Sequence, residues 1–144
     1  MGRIIHGNIV VDTLTLLKAL TAVKSNRVFV NGYSSAGDGG GGEWVFDDSD
    51  LSTEVTADSN EGIYAPPDSD STGASGAWVR QYFGPINVLW FGCTTSLTAT
   101  QNTTKIQTIV DTLSGGFIYI PYGVDWTYSS LTSATEFEFI DCAG

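Results

Sequence analysis

The spacing of apolar residues changes from helical to strand-like within the first thirty residues. Leu16, Leu20 and Val23 recur at i, i+4 and i+7, which predicts a short helix over residues 11–23. Residues 27–30, an arginine followed by three apolar residues, then precede an Asn-Gly turn signal, and this arrangement predicts a strand. The chain therefore opens with one helix followed by one strand.

Two later segments show the two-residue alternation of a strand, with large side chains at every second position. Trp44 and Phe46 fall on one face of one segment, and Trp78, Arg80 and Tyr82 fall on one face of the other. The acidic, Ser-rich stretch from residue 47 to residue 61 separates them and predicts a loop with at most one short strand. The residues predicted to form the front core are Phe29, Trp44, Phe46, Trp78 and Tyr82.

A second apolar part begins after Gly84, which is the best boundary in the chain. Residues 86–92, which include Trp90, predict an apolar strand. Residues 104–113 carry apolar side chains at i, i+3, i+4 and i+7, which predicts an amphipathic helix, and residues 117–121 predict a buried strand. The candidate core or interface residues of this second part are Trp90, Ile106, Ile109, Val110, Phe117 and Ile118.

A glycine-rich stretch, with Gly37 and the run Gly39, Gly40, Gly41 and Gly42, lies directly before the strand of Trp44. Each glycine costs about 0.5–1 kcal/mol relative to alanine, so the run needs a compensating gain. Burial of Trp44 and Phe46 offsets that cost, at about 1.5–3 kcal/mol for a large apolar side chain. We therefore expect these glycines to form a chain reversal that passes close to other backbone. A phosphate-binding loop is disfavoured, because no Lys-Ser/Thr follows and Glu43 would repel the anion.

Composition narrows the classes of function. The formal net charge is −10, which disfavours nucleic acids and acidic membrane surfaces as partners. No long apolar run or signal-peptide pattern is present, so synthesis in the cytoplasm is expected. Cys93 and Cys142 are too few for a disulfide framework and are expected to be two small buried residues. With one histidine far from both cysteines, no metal or other cofactor is predicted.

Some residues could carry chemistry, and each has a simpler explanation. Glu136 and Glu138 alternate along a predicted strand over residues 135–140, about 6.6 Å apart. This is close to the roughly 6.5–9.5 Å that separates the carboxyl groups of an inverting glycosidase, but an acidic outer face of a strand is the favoured interpretation. Trp126 and the other tryptophans could stack on sugars, although core packing is commoner. No catalytic residue is predicted.

The order of these segments resembles a known family. The segments VFVNGY, GDGGGGEWVF, GAWVRQY and INVLWFG resemble the N-terminal, virion-binding region of bacteriophage tailspikes. The segment NTTKIQTIVDTLSGGFIYIPYG resembles the start of a pectate-lyase-like right-handed parallel β-helix. The resemblance implies a mainly β fold with two short helices, in which a small β-rich attachment domain precedes the capping helix and first coils of a β-helix. The implied domains are residues 1–84, with residues 1–10 as a flexible peg, and residues 85–144 as a truncated neck.

The same resemblance implies a function in the virion. Such a module is expected to be non-enzymatic and to anchor a homotrimeric spike to the phage tail, the baseplate or a companion tailspike. It would meet host polysaccharide only through domains downstream of this chain. Two alternatives from other classes stay open at this point: part of a polysaccharide depolymerase, acting as a hydrolase or lyase on capsule or O-antigen, and a carbohydrate-binding module.

Overall fold

The computed structural model describes residues 9–142, which form eight strands, three α-helices and three 3₁₀ helices. The strands are β1 (Ile9–Val11), β2 (Arg27–Val30), β3 (Gly42–Asp47), β4 (Tyr64–Ala65), β5 (Ala77–Gln81), β6 (Ile86–Asn87), β7 (Gly116–Ile120) and β8 (Phe137–Asp141). The α-helices are α1 (Leu14–Lys18), α2 (Ser52–Ala57) and α3 (Ala99–Thr112). The 3₁₀ helices span Val88–Phe91, Tyr128–Ser130 and Ala134–Glu136.

The first five strands form one sheet in the order β1-β2-β3-β5-β4. All neighbouring pairs are antiparallel except β1 and β2, which run parallel. Strand alternation places one set of side chains on the inner face, where α1 covers them with Leu14 and Leu17. The buried inner-face residues are Val28, Val30, Trp44, Phe46, Ala65 and Trp78.

The front core differs from the prediction at β2. Val28 and Val30 are buried, whereas Phe29 is 49% exposed. Because β2 alternates, Phe29 shares a face with the exposed Arg27 and not with its valine neighbours. Phe29 is therefore an outer-face residue rather than a core residue.

The first helix is shorter than predicted and presents another face to the core. Thr13 caps it by accepting a hydrogen bond from the Leu16 backbone N–H, and the helix ends at Lys18. Its buried residues are Leu14 and Leu17, whereas Leu16 is about half exposed. Only one and a half turns form, so the predicted stripe that reached Val23 does not exist.

Helix α2, which the sequence did not predict, lies where a loop was expected. Its sequence has no apolar stripe that would have indicated a helix, and none of its residues is buried. It nevertheless lies against α3 and β4. The described fold therefore contains three α-helices, not two.

The last three strands form a second sheet, in the order β6-β7-β8, and every pair is parallel. β7 and β8 pair in continuous register, from Gly116 opposite Phe137 to Ile120 opposite Asp141. The sheet and α3 enclose a second core that includes Ile106, Ile109 and Ile118. Ile63, from the loop before β4, reaches across into this second core.

The second part differs from the prediction at its start. The apolar run after β6 turns into the 3₁₀ helix Val88–Phe91 rather than continuing as a strand. The Asn87 side chain accepts a hydrogen bond from the Leu89 N–H, and Gly92 closes the turn at a φ of 78°. This geometry buries Val88 and Phe91 and leaves Trp90 half-buried.

Helix α3 begins five residues earlier than predicted, because Thr98 and Gln101 form a capping box. Asn102 lies inside the helix and is buried. Its side-chain amide donates to the backbone carbonyls of Thr94 and Asp125, and its carbonyl accepts from the Thr94 N–H. One buried side chain therefore joins α3 to the segments on both sides of it.

Candidate docking surface and sheet junction

The outer face of the first sheet carries exposed apolar side chains. Val10 and Phe29 face each other across β1 and β2, and they are 55% and 49% exposed. Together with Ile9 and Val28 they line a shallow groove of about 340 Å³. Arg27 and Glu43 form an ion pair in the groove wall, so the charges beside the apolar patch are balanced. We call Val10, Arg27, Phe29 and Glu43, which share the outer face by register, the outer-face patch.

Behind this sheet, a junction connects it to the second sheet, and Arg80 is at its centre. The Arg80 guanidinium donates hydrogen bonds to the carbonyls of Gly62 at 2.6 Å, Gly41 at 2.6 Å and Gly40 at 2.9 Å. It also lies over the rings of Trp44, at 4.6 Å, and Trp90, at 4.8 Å. Burial lowers the pKa of Arg80 to about 9, so the side chain remains cationic at neutral pH.

The glycine-rich turn forms one wall of this junction. A Cβ on Gly40 would lie 2.4 Å from the Tyr33 Cβ and 2.9 Å from the Leu89 carbonyl oxygen. A Cβ on Gly42 would lie 2.4 Å from an Arg80 nitrogen. These glycines are needed because the backbone passes directly against the 3₁₀ helix Val88–Phe91 and the guanidinium. Gly37 has a left-handed φ of 85° but open space around it, so conformation rather than contact favours glycine there.

Asp38 holds the turn in shape. Its carboxylate accepts hydrogen bonds from the backbone N–H groups of Tyr33, Ser34, Ser35 and Gly40, at 2.8–3.0 Å. Burial alone would raise the Asp38 pKa, but these four donors outweigh it and lower the pKa below its usual value. The turn is thus organised around one ionised side chain.

A second carboxylate, Asp58, holds the loop that leads to β4. Asp58 is completely buried and accepts from the backbone N–H groups of Gly62, Ile63 and Tyr64. Burial raises its pKa, against the opposing effect of these three donors. Its charge also attracts the Arg80 guanidinium. The Gly62 carbonyl therefore reaches Arg80 from a loop that is itself fixed by hydrogen bonds.

The remaining predicted residues divide between the two cores and the surface. Trp44, Phe46 and Trp78 lie in the first core, where Phe46 and Trp78 meet edge to face at 5.3 Å. Tyr82 was predicted in the front core, but it packs with Trp90 against the second core. Ile106, Ile109, Val110 and Ile118 are buried in the second core, whereas Phe117 is 51% exposed on the outer face of β7.

The residues considered for chemistry do not converge. Glu136 ends a 3₁₀ helix and Glu138 lies in β8, so the two do not alternate along one strand, and both are exposed. Trp126 stacks on Phe139 at 4.9 Å and donates to Asp141. Within residues 9–142, no group of three His, Cys, Asp or Glu side chains could hold a metal ion.

The cysteines correct one expectation. Cys93 is buried, and burial raises the pKa of its thiol to about 12, but Cys142 is exposed. The two are not bonded to each other. No helix in the described part of the chain is long and apolar enough to cross a membrane.

The junction was not predicted from the sequence. The alternation pattern placed Arg80 on the same face as Trp78, but its three carbonyl partners lie 18 to 40 residues away in the chain. The sequence nevertheless contained one signal. An arginine on the same strand face as core aromatic residues is buried with them, so its N–H groups must find hydrogen-bond partners within the protein. The roles of Asp38 and Asp58 depend on loop geometry, which the sequence pattern does not specify.

The fold is shared with solved structures of phage tailspikes. The tailspike protein gp49 from Acinetobacter baumannii bacteriophage Fri1, a capsular polysaccharide depolymerase, is 22% identical with a TM-score of 0.61, over 81% of this chain and 20% of that one. The tailspike protein of Acinetobacter baumannii phage AM24 is 20% identical with a TM-score of 0.56, over 79% of this chain and 17% of that one. The enzymatically active domain of bacteriophage CBA120 tailspike protein 4 is 18% identical with a TM-score of 0.54, over 81% of this chain and 14% of that one.

These similarities define the class: the chain has a fold found in phage tailspikes, and it spans a fifth or less of the length of these three. The sequence profile of the family described as "Phage tail protein small four-stranded beta-sheet domain" matches residues 10–83. The chain belongs to this family of phage tail proteins. No curated protein matches the sequence.

Proposed function

We propose that this chain is the virion-proximal, non-enzymatic attachment module of a tailspike, and that its first sheet docks the spike onto another protein of the phage tail. The observation that carries the proposal is the match of residues 10–83 to a phage tail domain, because these residues make almost the whole first sheet. The outer-face patch supplies exposed apolar contact area with balanced charges, which suits a permanent protein interface.

The docking proposal is tested in phage that carry the full-length spike gene. Changing both Val10 and Phe29 to serine removes apolar area from the outer-face patch without touching the core. We expect purified virions to lose the spike, as measured by quantitative immunoblotting. The matched control is Leu16→Ser, since Leu16 is similarly exposed but lies on α1. Normal incorporation of the double variant would exclude this face, and normal incorporation of a spike lacking residues 1–84 would exclude the attachment function.

We also propose that the chain is divided into two domains. We assign attachment to residues 1–84 and the neck to residues 85–144. Of the proposed peg, residues 1–8 lie outside the described residues, and Ile9 and Val10 belong to β1. The parallel, in-register pairing of β7 and β8 supports the start of a parallel β-helix, because each pairing brings the chain back to the same side of the sheet.

The spike is proposed to be a homotrimer. Phe117 and Ile140, in the second sheet, are 51% and 40% exposed and offer contact area to neighbouring copies. Light scattering of the full-length spike measures the mass directly, and a monomer at high concentration would contradict this proposal.

A depolymerase is the second candidate, for the full-length protein rather than for this chain. It is favoured by the fold shared with the Fri1 tailspike, which is a capsular polysaccharide depolymerase. Incubating this chain and the full-length spike separately with host capsule distinguishes the two locations. We expect release of new sugar ends only with the full-length spike, and release by this chain would overturn its non-enzymatic assignment.

A further inference from the structure

We propose that Arg80 holds the two sheets together through its hydrogen bonds and ring contacts. The orientation of the second sheet relative to the first sheet, which docks to the virion, is thereby fixed. This role goes beyond attachment, since it concerns how the anchored first sheet sets the orientation of the neck.

The hydrogen-bond partners of Arg80 come from two separate loops. The residue itself lies in β5, next to the centre of the first sheet. Gly40 and Gly41 belong to the β2–β3 turn, and Gly62 lies beside Ile63, which is buried in the second core. One guanidinium therefore bonds to both loops, one of which is anchored in the second core.

Aromatic rings from both cores stack on the guanidinium. Trp44 is completely buried in the first core. Trp90 packs against the second core. A buried cation between two tryptophans contributes more than an exposed one because water does not compete for it. The cation is thus shared by both cores.

The chemistry of this junction requires arginine in particular. A planar guanidinium donates several hydrogen bonds in fixed directions while both of its faces stay open for stacking. Lysine has a single nitrogen and cannot reach three carbonyls and two rings in the same way. Replacement by an apolar residue would leave three carbonyls, two of them buried, without this donor.

The surrounding contacts show that the junction is tightly packed. A Cβ on Gly92 would lie 2.7 Å from the Tyr33 ring, and a Cβ on Gly39 would lie 2.5 Å from a Leu89 side-chain carbon. The turn of the first sheet therefore packs directly against the 3₁₀ helix Val88–Phe91 of the second part. A small movement of either sheet would break the Arg80 hydrogen bonds.

The test measures the distance between the two sheets in the isolated chain, so it does not depend on docking to the virion. Spin labels are attached through Thr15→Cys on α1 and Glu138→Cys on β8, in a Cys142→Ser background. Cys93 is buried and its thiol pKa is raised to about 12, so we expect it not to react with the label. With Arg80 present we expect a single narrow distance distribution by pulsed electron paramagnetic resonance.

Arg80→Met is expected to broaden that distribution by about twofold or more, because it removes the hydrogen bonds that join the loops of the two sheets, and relative motion is the default between units that are not locked together. Arg27→Met is the control, since Arg27 is an exposed arginine of the same sheet. If Arg80→Met fails to fold, Arg80→Lys and Trp90→Leu are measured instead, and both are expected to broaden the distribution. A distribution as narrow as that of the unchanged protein in the folded variants would overturn the proposal.

Discussion

The two sheets of this protein pair their strands in opposite ways. The first pairs its β2, β3 and β5 strands antiparallel and buries one face under α1. The second is wholly parallel, and β8 forms one edge among the described strands. Antiparallel neighbours can be joined by a turn, whereas parallel neighbours need a long crossover, which here contains α3 between β6 and β7. The difference separates a mostly antiparallel sheet that is covered by α1 from a wholly parallel sheet that is built with crossover connections.

The largest loss of stability is expected from a change in the core of the first sheet. Trp44→Ala removes a completely buried side chain and one stacking partner of Arg80. We expect a loss of about 3–5 kcal/mol in the free energy of unfolding, measured by urea titration. Trp126→Ala is the control, because Trp126 is only partly buried. An equal loss for both variants would contradict the view that the complete burial of Trp44 is what makes it stabilising.

The next effect concerns the turn at the junction. Asparagine at Gly40 would overlap the Tyr33 Cβ and the Leu89 carbonyl, so we expect a loss of about 1–3 kcal/mol from overpacking. Asparagine at Gly37 meets open space and tolerates a left-handed φ, so it should cost less than about 1 kcal/mol. Thermal unfolding of the two variants compares the cost of steric overlap at residue 40 with the cost of a left-handed backbone at residue 37. Equal losses of stability would indicate that glycine contributes only chain flexibility at both positions.

A comparable effect, which depends on pH, is expected at Asp38. Asp38→Asn weakens four backbone hydrogen bonds, and we expect a loss of about 1–3 kcal/mol at neutral pH. The folded-state pKa lies below the unfolded value of about 3.9. The stabilisation is therefore complete above about pH 4 and is lost as the pH falls through the folded-state pKa.

Urea titrations at pH 7 and near pH 3 test this expectation. The difference between the unchanged protein and Asp38→Asn should shrink at the lower pH. Asp68→Asn is the control, because the Asp68 side chain is exposed. A difference that stays constant between the two pH values would show that the ionised carboxylate is not what stabilises the turn.

The smallest effects are expected on the outer faces. Phe29→Thr and Phe117→Thr change half-exposed side chains and should alter the free energy of unfolding by about 0.5 kcal/mol or less. Chemical denaturation measures both. A loss of several kcal/mol for Phe117→Thr alone would mean that the second sheet is covered in solution, which would sharpen the contrast between the two sheets.

The elements whose burial follows a regular pattern could be predicted from the sequence. Two-residue alternation located Trp44, Phe46 and Trp78 on inner faces, and the 3.6-residue stripe located Ile106, Ile109 and Val110 on α3. These residues sit in periodic segments, where one face alone can be buried. The tailspike resemblance identified from the order of the segments is confirmed by the family and the fold.

Prediction failed where a short apolar run left the face undecided. Phe29 and Phe117 each lie in such a run and were predicted among the core residues. At Phe29 the correct face could have been inferred from Arg27, two residues earlier, because a charged residue on a strand marks the solvent side. At the junction no local pattern was available, since the carbonyl partners of Arg80 belong to distant loops.

The buried amide of Asn102 has a consequence for how the molecule opens. The Asn102 side chain bonds Thr94 and Asp125 to the first turn of α3. Fraying of that turn would therefore leave three polar groups, the Thr94 N–H and the carbonyls of Thr94 and Asp125, without hydrogen-bond partners. The helix end and both flanking segments should consequently form one cooperative unit in native-state hydrogen exchange, with the Thr94 amide protected as strongly as the first hydrogen-bonded amides of the helix.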